Sequence, residues 1–70
     1  MLGTNFFIYM LNYVKLVLTK VSFSALLFEK ELRKAINMMI GEELSELRNW
    51  CYSKFGSEYE EILNRCFVVA

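Results

Sequence analysis

Histidine, aspartate and proline are absent from this chain, glycine occurs three times and cysteine twice. Without His and Asp, the commonest general bases and the usual catalytic triads are excluded. Cys51 and Cys66 stand fifteen positions apart with no CxxC pair, which excludes a zinc site built on paired thiols. The lack of proline leaves Gly3, Gly41 and Gly56 as the only strong stop signals, so helices are limited mainly by glycine. An excess of one charge is missing too. Eight Lys and Arg balance eight Glu, and the pI is near 6.2; nothing draws the chain toward nucleic acid or an anionic surface.

What is present is helix-forming and apolar. The chain has 70 residues, 56% of them hydrophobic, enough for a single small domain whose own core is marginal. Burial is worth about 110 kcal/mol at ~25 cal/mol per Å² against an ordering cost of about 105 kcal/mol. Such a balance usually calls for reinforcement by a disulfide, a metal or another chain. The two thiols read as reduced: on a hairpin turning at Gly56, the level opposite Cys51 falls near Ile62, about 6 Å short of Cys66.

The spacing predicts an all-α, compact four-helix domain covering residues 1–70, with helices at about 5–21, 25–39, 42–55 and 58–67. Thr4 or Asn5 is the expected cap of the first. Ser24 is the expected cap of the second, with Phe23 stapled onto Phe28. Ala25, Phe28, Leu32, Ala35 and Met39 repeat at helical spacing, while Glu29 and Arg33 fall four apart on the polar side. Gly41 is expected to close this helix in the left-handed conformation, with Glu42 and Glu43 opening the next. Leu44, Leu47, Cys51 and Phe55 form its inner stripe beside Trp50. Gly56 then reads as a stop. Ser57 with Glu60 reads as a capping box for a fourth helix carrying Tyr59, Ile62, Leu63, Cys66 and Phe67 inward. The β-branched residues lie inside helical periodicity, so strands have no support.

The first helix is the anomaly. On a wheel at about 100° per residue its apolar arc, from Leu16 and Tyr9 through Phe6, Val17 and Met10 to Leu11, spans about 220°, twice what one neighbouring layer buries. Three coverings are open: the other helices, a second copy of the chain, or lipid. Phe6, Phe7, Met10, Tyr13, Val14 and Val17 are the candidate interface residues, suited to an isologous homodimer. Lys15 falls on the polar stripe, where substitution should be tolerated. The uncharged run ends at Val14, short of the ~20 residues a span requires. Membrane association through this helix is the alternative. No Lys or Arg precedes the run, so no secretory leader is expected, and the cytoplasm is the default.

Other chemistry reads weakly. Cys51 lies late in its helix and Cys66 near the end of its own, where the dipole disfavours a thiolate, so neither is expected to be a nucleophile. Glu42, Glu43 and Glu46 are ordinary acids of a helix N-terminus. They also give a would-be recognition helix the wrong sign for phosphates. Trp50, Tyr52, Phe55 and Tyr59 look like a packing cluster, since basic residues do not interleave with them. The stretches LLFEKELRKAI and EELSELRNWCYSKFG, around residues 27–56, resemble those of short, uncharacterised bacterial helical proteins. That resemblance implies a small free-standing bacterial protein and no particular activity. The expectation is therefore a non-enzymatic protein–protein interaction module, with no cofactor, no metal, no nucleic acid and no small-molecule substrate.

Overall fold

The structure, a computed structural model, describes the backbone of residues 2–67 and the side chains of residues 9–67. These residues form three helices, α1 (Leu2–Lys20), α2 (Ala25–Met38) and α3 (Glu42–Phe67), and no strand. The all-α expectation holds, but the four-helix one does not. The third and fourth expected helices are one continuous, bent α3. At its other end the chain is also more helical than expected, because α1 begins at Leu2 and runs through Thr4 and Asn5 without stopping to be capped there.

Gly56 does not stop α3, because it takes ordinary helical angles. The departure comes three residues later, at Tyr59, with φ −123° and ψ 33°. A glycine interrupts a helix only when its surroundings require a left-handed residue there. Here the surroundings pull on Tyr59 instead. Its ring stacks on Phe28 of α2 with centroids 4.6 Å apart, and its hydroxyl donates to the Ser22 carbonyl at 2.5 Å. The bend is sharp. Tyr52 and Asn64 are twelve residues apart, about 18 Å along a straight helix, yet the Tyr52 hydroxyl reaches Asn64 Oδ1 at 2.6 Å. The two limbs of α3 therefore lie side by side.

Between them and α2 sits most of the core. Phe28, Leu32, Ala35 and Met39 of the second segment are buried against Leu47, Cys51, Phe55, Ile62, Leu63 and Cys66 of α3, as the helical spacing predicts for all but Ala25, which is exposed. Among the described side chains of α1, Leu11, Val14 and Leu18 are the ones fully drawn in. Aromatic contacts link the layers: Phe28 meets Phe55 edge-on at 4.9 Å, Phe55 meets Trp50 at 5.5 Å, and the Lys15 ammonium lies 5.7 Å from the Trp50 ring centroid. Lys15 is thus a half-buried bridge from α1 to α3. Its stem packs while its charge faces the ring, so it is not the freely solvated residue that its place on the polar stripe suggests.

The turns follow local chemistry, with two corrections. Ser24 caps α2 by accepting from the Leu27 amide at 3.3 Å. Phe23 makes no staple on Phe28, because the Phe28 ring is already held by Phe55 and Tyr59 and Phe23 points to solvent, 78% exposed. Gly41 is left-handed at φ 62°, as expected, but α2 has already ended at Met38. Met39 is extended and buried in the core, and the Gly41 carbonyl instead accepts the first helical bond of α3, from Ser45 at 3.1 Å.

On the surface, Glu29 holds Arg33 at 2.8 Å as its spacing predicts, and also Arg65 of α3 at 2.9 Å. The guanidinium of Arg65 first, and that of Arg33 next, hold the Glu29 carboxyl below its ordinary value of 4.5. Because the folded value is the lower one, this stabilisation is present at neutral pH and is lost as pH falls below the unfolded value and through the folded one. Thermal unfolding of the wild type and Glu29→Gln should therefore differ near neutrality and converge as pH is lowered below 4.5.

The glycines supply a second test. A Cβ at Gly56 meets nothing within 4 Å and the backbone there is helical, so Gly56→Ala should stabilise by about 0.5–1 kcal/mol in urea unfolding. Gly41→Ala, at φ 62°, should destabilise by about 1–2 kcal/mol. If Gly56→Ala proved the more damaging of the two, a continuous α3 would be wrong.

Candidate functional site

The core claims one edge of the α1 apolar arc and leaves the other edge bare. Leu11, Val14 and Leu18 fall within about 60° of one another on the wheel, and Tyr9, Tyr13 and Leu16 within another 60°, the two groups centred about 160° apart. The first group is buried. The second is in water: Tyr9 is 75%, Tyr13 62% and Leu16 53% exposed. Their spacing of four and three places them in one row along the outer side of the helix.

Between the two groups α1 descends toward α2. Val17 is half-buried there, and with Tyr13 it forms one wall of an open groove whose other wall is Lys34 and Met38 of α2. Glu31 and Lys34, 3.5 Å apart, neutralise each other along that wall. The row of Tyr9, Tyr13 and Leu16, which the exposed Lys20 ends one turn later, thus continues across Val17 to the exposed Met38 as a surface of aromatic and aliphatic groups. Phe23 and Leu26 are exposed as well, at the turn between α1 and α2, and Ile40 beside Met38 precedes α3. Single exposed apolar residues are ordinary on small proteins. A continuous row on one helix is not.

The residues singled out from the sequence separate on this frame. Tyr13 stands exposed at the centre of the row, and Val17 lines the groove. Met10 is half-buried and packs against the core, and Val14 is inside it at 4% exposure. The side chains of Phe6 and Phe7 lie outside the described residues. Tyr9 and Leu16, at the far edge of the arc, were part of the apolar surface but not among the residues chosen for contact. The missing information was which edge the core would take. Lys15, beside the edge that is buried, marks it only in retrospect, through its place over Trp50.

Among the described residues, the two thiols are the groups to weigh for chemistry. Burial pushes the Cys51 thiol up to about 12, with the nearby Cys66 adding to the effect. Burial raises Cys66 too, against the opposing pull of Arg33. Both are held as thiols at neutral pH. Among the described residues no group of three or more His, Cys, Asp or Glu is placed to hold a metal ion. None of the described helices is long and apolar enough to cross a membrane.

Comparison with known proteins adds no analogue to this geometry. The chain matches no family model, and neither the curated proteins nor the solved structures yield a significant match, so the likeness of residues 27–56 to short bacterial helical proteins carries no further argument.

Proposed function

We propose that this chain is a non-enzymatic helical interaction module that associates with a second copy of itself through the outer side of α1. The observation that carries this reading is the exposed row of Tyr9, Tyr13 and Leu16 on a helix whose opposite side already anchors the core. Tyrosine and large aliphatic groups offer much contact area at low conformational cost and are enriched in the centres of interfaces. A two-fold contact requires a surface that complements itself. Three uncharged side chains in a row, flanked by the mutually paired Glu31 and Lys34, support that reading, with the charge of Lys20 confined to the end of the row. Thiols held protonated at neutral pH are slow nucleophiles, which supports the non-enzymatic part.

The mass in solution tests it. Sedimentation of detergent-free protein is expected to give a discrete species of twice the chain mass. Tyr13→Glu and Leu16→Glu should reduce it to the chain mass with helical content retained, while Asn12→Glu, on an exposed polar position of the same helix, should change nothing. Val14→Glu should instead unfold the chain, since a lone carboxylate in the core costs about 3–5 kcal/mol. A wild-type chain that stays monomeric at every concentration contradicts the reading. If that monomer partitions onto lipid vesicles through Tyr13 and Leu16, the same face belongs to a membrane surface instead.

A further inference from the structure

The bend at Tyr59 changes the relation between the two cysteines. With the limbs of α3 side by side, Tyr52 reports their register: its hydroxyl bonds Asn64 and its ring lies 6.2 Å from that of Phe67. The level of Tyr52 therefore falls between those two residues. Cys51, one residue earlier on a limb that runs the other way, then faces the level of Cys66 to within about 1 Å along the axis. The turn at Gly56 that the sequence suggests would have left them about 6 Å apart in level.

Both residues lie on the inner faces of their limbs, in the same buried cluster, with free thiols. Neighbouring helix axes are typically 8–10 Å apart and each Cα lies about 2.3 Å off its axis. Directly facing Cα atoms are thus about 3.4–5.4 Å apart, a span that overlaps the range of a disulfide. That Cys66, after burial, helps push the Cys51 thiol up agrees with this proximity. Both thiols are buried, and they differ in access only in that Cys66, 3% exposed, borders the surface. Cys66 lines an open surface groove together with Arg33, Ile36, Asn37, Leu44 and Phe67, whereas Cys51 lies behind it, fully buried.

We propose that Cys66 is a thiol–disulfide exchange site reached through this groove, and that Cys51 resolves it into an intramolecular disulfide tying the two limbs of α3 together. The oxidant is a low-molecular-weight disulfide of the glutathione type. Cys66 loses its proton and its sulfur attacks one sulfur of the oxidant, which breaks the oxidant's S–S bond, expels one small thiolate and leaves a mixed disulfide on Cys66. Cys51 then loses its proton and attacks the Cys66 sulfur, forming the new S–S bond and expelling the second small thiolate. The two protons end on the two released thiols. Two protein thiols are oxidised by two electrons, and one small disulfide is reduced to two thiols. Arg33 at the groove favours the attacking thiolate of Cys66. The reaction is independent of any association through α1.

The test is incubation of the intact chain with glutathione disulfide, followed by mass spectrometry and non-reducing peptide mapping. The expected product has lost the mass of two hydrogens, joins the peptides of Cys51 and Cys66, unfolds at a higher temperature than the reduced chain, and returns to it with a dithiol. Formation should be slow at neutral pH and accelerate as pH rises, because both thiols start protonated. Cys51→Ser should stop at the glutathione adduct on Cys66. A wild-type chain that accumulates the glutathione adduct, forms only interchain disulfides, or reacts only in denaturant overturns the proposal; these wild-type outcomes decide it even if the variant does not fold.

Discussion

The bend at Tyr59 is the constraint on which the rest of the molecule depends. A straight α3 would carry Ile62, Leu63 and Cys66 away from Phe28 and Leu32, and the small core would lose three of its buried side chains. Folding α3 back brings both limbs against α2, and Tyr59 fastens the fold from the inside by its ring on Phe28 and its hydroxyl on the Ser22 carbonyl. That single hydrogen bond joins the turn after α1 to the bend of α3, positions 37 residues apart. Such a contact offsets the loop-closure entropy it must overcome only because the aromatic packing around it is dense.

The position of α1 follows from this arrangement. Once α2 and the two limbs of α3 have closed on each other, one side of the core remains for α1, and it is filled by Leu11, Val14 and Leu18. Lys15 on Trp50 sets the rotation of the helix about its own axis from one side, and Val17 beside α2 sets it from the other. With the rotation set, Tyr9, Tyr13 and Leu16 have no element of the described chain to pack on. The excess apolar surface is thus a consequence of how three helices share one core. The same bend sets Cys51 opposite Cys66, so the bare row on α1 and the thiol pair both trace back to one residue.

Much of this was legible in the residues. The stripe of Phe28, Leu32, Ala35 and Met39, the inner positions of α3, the Ser24 cap and the Glu29–Arg33 pair all follow from short-range spacing, which a helix enforces. What escaped depends on contacts distant in the chain. Gly56 and Ser57 carry local stop signals, but the break is placed at Tyr59 by partners in α2 and in the turn before it. Phe23 resembles a staple locally, yet its site on Phe28 is taken by rings from α3. Arg65 joins Glu29 across 36 positions, beyond any periodicity. For α1 the width of the apolar arc is readable in the residues, whereas the edge facing inward is not; periodicity alone does not separate the buried Val14 from the exposed Leu16.

The most direct test of the account is whether the limbs of α3 lie against each other in solution. An NMR nuclear Overhauser spectrum of the intact chain should contain cross-peaks between the side chains of Tyr52 and Phe67 and between the rings of Phe28 and Tyr59. Helical connectivities running through Gly56 and Tyr59 with neither pair of cross-peaks would mean that α3 is straight, and the core, the bare edge of α1 and the facing thiols would all lose their foundation.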